Sequence, residues 1–257
     1  MRRMLLVVSY DGTGYCGWQL QPEMLTVEEV LNKALSSLLK EDITVIGASR
    51  TDSGVHARGN VAVFDTETRI PAEKLMYALN QFLPEDIRIQ SSREVSPSFH
   101  PRRVNSRKTY EYRILNRRVL LPTERLYSNF VYYALDTEAM QAAAAYLTGE
   151  HDYKSFCSVK TQAESTVRTI YSLEVSRVGD IITISVTGSG FLYNMVRIIA
   201  GTLIEVGRGA LRPERVGEIL AGCDRNLAGP TSPAQGLTLI GIEYDEKDLT
   251  GDESNRE

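Results

Sequence analysis

The segment Gly47–Gly59, GASRTDSGVHARG, concentrates residues that could do chemistry. Asp52 is its one acid and stands among Arg50, His56 and Arg58. Asp followed by Ser-Gly is also an ordinary turn, in which Asp bonds nearby backbone and Gly supplies a positive φ. The turn does not need the surrounding donors, and an arginine beside a carboxylate favours its charged form. The segment therefore predicts a turn that presents Asp52 as an anion, suited to act as a base or a nucleophile.

A second candidate, Arg197, lies in the apolar segment GSGFLYNMVRIIAGTLIEVG and is its only charge between Phe191 and Ile204. An unpaired guanidinium in apolar surroundings would cost several kcal/mol, about the penalty of an uncompensated buried charge. We expect Arg197 to have an acidic partner, for which Asp52 is a candidate. The alternative is that its long side chain reaches solvent.

Metal and nucleotide sites are not indicated by the sequence. His56 follows Asp52 by four residues, but the chain has only three histidines and no His-Glu-x-x-His arrangement. The three cysteines are far apart and lack the spacing of zinc ligands. The glycines of DGTGYCGW do not have the dinucleotide-binding spacing. We expect no metal and no cofactor.

The charge is unevenly distributed along the chain. The formal net charge is −4 over 257 residues, yet the segment from Arg88 to Arg125 carries ten Lys or Arg against three Glu. Tyr110 and Tyr112 lie inside this basic segment. Such a run can be a solvated face, but basic and aromatic residues together favour a surface for a polyanion. No apolar run approaches the length of a membrane span and no signal peptide is indicated, so we expect a cytoplasmic protein.

The elements that must position these residues follow one order twice. The first half has two predicted helices, one capped by Thr26 and one after Pro71. Its predicted strands are Met4–Tyr10, Ile43–Ala48, Asn60–Asp65 and Ile87–Gln90. The Asp52 segment lies between the second and third strands. The order β-α-β-β-α-β is the ferredoxin-like pattern, in which helices cover one face of an antiparallel sheet.

The second half repeats the pattern with the following predicted elements: strands at Thr109–Leu115, Val167–Val175, Ile181–Thr187 and Leu237–Tyr244, and helices at Thr137–Leu147, Leu192–Val206 and Pro213–Leu220. Asp136 is the predicted cap of the first of these helices. We therefore predict an α+β fold of two ferredoxin-like halves, with antiparallel sheets forming a central cleft and helices on the outer faces. The predicted boundaries are 1–104, 105–246 and a disordered acidic tail at 247–257.

With these residues in view, the chain resembles the TruA family of tRNA pseudouridine synthases. Six collinear motifs carry the resemblance over nearly the full length: SYDGTGYCGWQLQP, GASRTDSGVHARGNVAVF, FHPR, KTYEYRILN, GSGFLYNMVRIIAGTLIEVG and QGLTLIGIEY. Pro101 in FHPRR departs from the alanine more usual in bacterial members.

The resemblance implies an isomerase that converts uridines 38 to 40 of the tRNA anticodon stem-loop to pseudouridine. It implies a homodimer without cofactor, whose partner is tRNA. The implied catalytic residues are Asp52, Tyr110, Arg197 and Arg50, and the implied RNA contacts are Tyr110, Arg58, His56 and Phe99. Whether Asp52 attacks covalently or removes a ribose proton stays open.

Two other functions are compatible with parts of the sequence. A tandem RNA-binding protein without catalysis would share the strand order, but the aromatic signature of RNA-recognition modules is absent and binding would not need Asp52. A metal-dependent hydrolase would be built on Asp52, His56 and His100 and would lose activity to a chelator.

Overall fold

The structure, a computed structural model, describes residues 1–159 and 163–251. It comprises two compact units. The first contains Met1–Ser106 together with the chain from Leu239 onward, and the second contains Arg107–Thr238. No helix in the described part of the chain is long and apolar enough to cross a membrane.

The strands are, in chain order, β1 Arg2–Tyr10, β2 Ile46–Gly47, β3 His56–Thr66, β4 Ile87–Val95, β5 Ser106–Asn116, β6 Asn129–Val131, β7 Gly149–Asp152, β8 Val167–Val178, β9 Ile181–Gly188 and β10 Leu237–Tyr244. The helices are α1 Val27–Leu39, α2 Leu75–Leu79, α3 Thr137–Ala145, α4 Met195–Gly207, α5 Arg215–Gly222 and α6 Glu246–Thr250. The predicted α+β class is confirmed.

In the first unit the strand order is β4-β1-β3-β10, with β2 beside β3. Strand β1 is antiparallel to both β3 and β4, and Leu6 on β1 lies opposite Ala62 on β3. Helix α1 begins at the predicted cap, because the Thr26 hydroxyl accepts the Glu29 N–H at 3.3 Å. The helix buries one apolar stripe, formed by Val27, Leu31, Ala34 and Leu35.

In the second unit the strand order is β5-β9-β8-β7, and these strands pair antiparallel. The short strand β6 adds to β5 in parallel. Helix α3 begins at the predicted cap, where the Asp136 side chain accepts the N–H groups of Glu138 and Ala139. Helix α4 is apolar on nearly all sides and is largely buried.

The structure divides the chain differently from the sequence prediction. The last strand was predicted to belong to the second half, yet the chain from Leu239 belongs to the first unit, where β10 lies beside β3. The tail predicted to be disordered from residue 247 instead begins as helix α6. Leu249 on this helix is 4% exposed and packs in a core cluster with Val95 and Phe99. One apolar side chain therefore anchors the start of the acidic segment, and residues 252–257 lie outside the described residues.

Candidate active site

Asp52 lies, half-buried, on the loop between β2 and β3. The Val55 N–H donates to the Asp52 carbonyl at 3.1 Å, and Gly54 between them has φ +78°. This geometry is the predicted turn, with glycine at the position that needs a positive φ. The turn ends where β3 begins at His56. The Asp52 side chain is thus presented by a short loop held at one end by a strand.

Buried side chains fix the backbone on the amino-terminal side of Asp52. The Tyr10 hydroxyl, at the end of β1, lies 2.7 Å from the Thr51 hydroxyl. The Asn60 amide on β3 donates to the Ser49 carbonyl at 3.0 Å and to the Tyr10 hydroxyl at 3.3 Å. Tyr10, Ser49, Thr51 and Asn60 are all buried. We call these four residues the Tyr10 network.

The glycine-rich segment Asp11–Trp18 packs against the same loop. The Trp18 N–H donates to the Thr51 carbonyl at 3.1 Å, and the Tyr15 carbonyl accepts the Gly54 N–H and the Ser53 hydroxyl. Gly17 has φ +81°. A segment that had no dinucleotide-binding spacing therefore has a structural role, which is to hold the Asp52 loop.

His56 connects the glycine-rich segment to β3. Its ring is 5% exposed, and Nδ1 lies 3.0 Å from the Gly12 nitrogen and 3.1 Å from the Asp11 carboxylate. With a proton on Nδ1 the ring donates to Asp11, and without one it accepts the Gly12 N–H. In both tautomers the ring binds this segment, so His56 supports the loop from within.

Arg50 and Arg58 flank the loop and are both exposed. Their guanidinium groups are accessible from solvent to an anion such as a phosphate. Their exposure contrasts with the burial of His56, which lies between them in the sequence.

Phe99 lies in the core of the first unit and is 1% exposed. Its ring packs edge-on against Tyr244 with the centroids 5.1 Å apart, and its carbonyl accepts from Arg3 at 2.9 Å. The Tyr244 hydroxyl also donates to the Pro101 carbonyl. A ring in this position presents no face to RNA, so we correct its predicted role to a packing one. The FHPR motif anchors the chain where it leaves β4.

The basic residues after Phe99 are at the surface. Arg102 and Arg103 are exposed, and the Arg102 N–H donates to His100 Nδ1 at 3.2 Å. Partial burial and the positive charges of Arg103 and Arg102 lower the pKa of His100. The segment therefore presents arginine rather than histidine charge at neutral pH.

Tyr110 is positioned by β5 in the second unit. It lies opposite Val186 on β9, is 6% exposed, and packs edge-on against Phe191 with a centroid distance of 5.3 Å. Tyr112, two residues on and on the same face, is fully buried and donates to the Pro233 carbonyl at 2.9 Å. Burial raises the pKa of Tyr112, so its hydroxyl stays protonated.

Arg197 lies in the first turn of α4 and is half-buried. Its Nε donates to the Ser232 carbonyl at 2.8 Å, and one terminal nitrogen donates to the Asn194 side chain at 2.7 Å. Asn194 in turn donates to the Ser158 hydroxyl at 2.8 Å. The guanidinium is therefore fixed by bonds to neutral oxygens within its own unit, which fits a residue held in one orientation.

Sequence reasoning missed the support of the Asp52 loop. Tyr10 belongs to the motif SYDG, but nothing in that spacing links it to Thr51, 41 residues away. Asn60 would have been detectable as a polar residue within an apolar strand, since a buried amide needs partners.

The described residues 1–159 and 163–251 contain no group of three or more His, Cys, Asp or Glu that could hold a metal ion. A hydrolase built on Asp52, His56 and His100 would need such a group. In this part of the chain, His56 instead binds the glycine-rich segment and His100 accepts from Arg102.

Comparison with known proteins finds similarity in both units. The chain matches a family described as tRNA pseudouridine synthase over residues 6–102 and 143–245. Curated relatives carry the name tRNA pseudouridine synthase A. The protein from Brevibacillus brevis is 49% identical over 244 residues, which is 95% of this chain and 100% of that protein.

Other relatives agree in length and name. A Thermoanaerobacter sp. protein is 50% identical and one from Geobacter sulfurreducens is 46% identical, each over 244 residues, 95% of this chain and 100% of the relative. The Asp52 loop and Arg197 fall within the matched regions, whereas Tyr110 lies in the stretch between them. The chain belongs to the tRNA pseudouridine synthase family.

Proposed function

We propose that the protein isomerises uridine to pseudouridine in the anticodon stem-loop of tRNA, at positions 38, 39 and 40, with Asp52 as the catalytic carboxylate. The observation that carries this proposal is the construction of the Asp52 loop. Its backbone is fixed on one side by the Tyr10 network and on the other by the Tyr15 carbonyl, while Arg50 beside it is exposed. A carboxylate held in one place on a rigid element is suited to catalysis.

The reaction is an isomerisation that needs no added atoms. The bond between C1′ and N1 of the uridine breaks, the base turns, and C5 bonds to C1′. The C5 proton is then lost and N1 gains a proton, so the composition is unchanged. No oxidant, reductant or energy source enters this balance, which agrees with the expectation that the protein uses no cofactor.

Asp52 acts on the nucleotide after the target base has left the helical stack. It either attacks the nucleotide covalently or removes a proton from the ribose, and both roles require the ionised carboxylate. Extrusion of the base is the general route by which an enzyme reaches a base within a duplex.

Tyr110 is proposed to stack on the uracil and to assist removal of the C5 proton. The edge-on contact with Phe191 holds the ring in one orientation, as a stacking platform requires. We further propose that Arg197 pairs with Asp52 and holds its geometry. Arg50 and Arg58, both exposed, are proposed to bind phosphate next to the target nucleotide.

The experiment that tests this function uses unmodified tRNA transcript without added metal, with pseudouridine mapped by chemical adduct formation and primer extension. We expect product at positions 38 to 40 from wild type and none from Asp52→Asn, with tRNA binding retained. Asn tolerates the same turn, so the substitution removes charge rather than structure. Asp42→Asn, an exposed aspartate in the same unit, is the matched control and should react like wild type.

Equal product from Asp52→Asn and wild type would overturn the role of Asp52. Binding by every protein without product from any would favour the non-catalytic RNA-binding alternative. Absence of pseudouridine together with chelator-sensitive hydrolysis of the tRNA would favour the metal-dependent hydrolase.

We also propose that the protein works as a homodimer in the cytoplasm and binds tRNA through its basic residues. The affinity for tRNA should then fall steeply as salt rises, because each neutralised phosphate releases counterions. Light scattering after size-exclusion chromatography should give twice the 28.7 kDa chain mass. A monomer mass for the active enzyme would contradict the homodimer. An affinity for tRNA that is insensitive to salt would contradict binding through the basic residues.

A further inference from the structure

We propose that Tyr10 and Thr51 are positioning residues, whose hydroxyl–hydroxyl hydrogen bond sets the place of the Asp52 carboxylate for the chemical step. The proposal rests on the proposed function of Asp52. It adds two residues outside the catalytic and RNA-binding groups named above, both of which act through the backbone that carries Asp52.

Thr51 immediately precedes Asp52, so any movement of its backbone moves the carboxylate. Its hydroxyl is 2.7 Å from that of Tyr10, and its carbonyl accepts the Trp18 N–H at 3.1 Å. Side chain and backbone of the same residue are thus each tied to a different segment.

Tyr10 is held firmly in the core of the first unit. It is the last residue of β1, is 4% exposed, and packs against Trp18 with the ring centroids 6.0 Å apart. Its hydroxyl also accepts from Asn60, which is fully buried on β3. Hydrogen bonds in such a dry environment are strong, and an unmade one is expensive. The Tyr10 hydroxyl is therefore a fixed point for the loop.

The rate of a catalysed reaction is sensitive to the position of the catalytic group. A displacement of about 1 Å can reduce a rate roughly a hundredfold even when binding is unaffected. The Tyr10–Thr51 bond is buried within the first unit, so its loss should change the chemical step rather than tRNA affinity. The expected signature is a fall in kcat with little change in KM.

The test compares Tyr10→Phe, Thr51→Val and the double variant. Tyr10→Phe retains the ring against Trp18, and Thr51→Val retains the branched shape. Each should lower kcat roughly tenfold or more, with KM for tRNA nearly unchanged. The double variant should be little worse than the worse single variant, because both remove the same bond.

Three controls separate positioning from stability. Thr51→Ser keeps a hydroxyl and should restore most of kcat. Tyr77→Phe changes an exposed tyrosine on α2 and should behave like wild type. All rates are normalised to the folded fraction, with assays run well below each unfolding midpoint, because a merely structural role would lower the midpoint and leave kcat per folded molecule intact.

The outcomes also separate this inference from the proposed function. If Asp52→Asn is inactive while Tyr10→Phe and Thr51→Val keep wild-type kcat, the positioning role is wrong and the function of Asp52 stands. If the losses of kcat in the two single variants multiplied in the double variant, the two residues would not act through one shared bond, and the inference would be wrong. If Asp52→Asn is fully active, the proposed catalytic role of Asp52 fails, and the positioning role that rests on it fails as well.

Discussion

Gly17 lies against the backbone carbonyl of Thr51 so closely that a methyl group on its Cα would stand 2.5 Å from that oxygen. Its φ of +81° is also one that other residues rarely adopt. A methyl group on the Cα of Gly12 would likewise stand 2.0 Å from the Val55 carbonyl oxygen. Glycine at these two places lets two backbones meet, and that close approach supports the Asp52 loop.

The first prediction concerns these glycines. Gly17→Ala should lower stability by about 1–2 kcal/mol from its backbone conformation alone, and it should reduce pseudouridine formation by displacing Thr51. Gly14→Ala is the matched control, since an added methyl there meets nothing within 4 Å. Thermal unfolding and initial rates on tRNA measure both effects. Identical behaviour of the two variants would show that the contact does not support the loop.

The second prediction concerns Arg197. Arg197→Lys should abolish most activity although it keeps the charge, because a single ammonium cannot reproduce the bonds from Nε to Ser232 and from the terminal nitrogen to Asn194. Arg208→Lys, at the exposed carboxyl end of the same helix, should remain active. Single-turnover rates on tRNA give the comparison. Full activity of Arg197→Lys would mean that charge alone suffices.

The third prediction concerns pH and the Arg3–Asp65 ion pair, whose oxygen and nitrogen are 2.6 Å apart. The hydrogen bond from Arg3 is the largest cause that lowers the pKa of Asp65. A lowered folded-state pKa contributes stability above the unfolded value, and this is lost as pH falls through the folded value. Asp65→Asn should therefore be less stable than wild type at pH 7, by about 1 kcal/mol for a partly exposed pair.

The difference should shrink as pH falls below about 4, the ordinary range of an aspartate. Unfolding in urea at pH 7 and at pH 3 measures it. A difference of the same size at both pH values would attribute the loss to packing rather than to charge.

The fourth prediction concerns Leu249 on α6. Leu249→Ala should cost about 2–4 kcal/mol, since it empties a buried site beside Val95 and Phe99. Thr250→Ala, next to it and exposed, should cost far less. The midpoint of thermal unfolding reports both. If Leu249→Ala left the unfolding midpoint unchanged, α6 would be dispensable for the core.

The sequence predicted what is decided locally. The helix caps at Thr26 and Asp136 and the turn at Asp52 were all found as expected, because each rests on a hydrogen bond between residues no more than three positions apart. The apolar stripe of α1 could also be predicted from the sequence, since helical spacing determines which side chains share a face.

The missed features are non-local. Phe99 stands in a motif, but a motif does not say which way a ring points, and the ring points into the core. The Tyr10–Thr51 bond joins residues 41 positions apart, and β10 returns to the first unit after the whole second unit. Such pairings depend on strand order, which local patterns do not determine.

The return of the chain at Leu239 has a consequence for biosynthesis. The first unit takes β10 beside β3 and Leu249 into its core, so the unit that carries Asp52 needs both ends of the chain. The second unit is continuous and is synthesised before that return. During translation the second unit can therefore fold first, while the unit made earliest waits for the final strand. Premature termination between residues 239 and 251 would thus damage the Asp52 unit rather than its continuous neighbour.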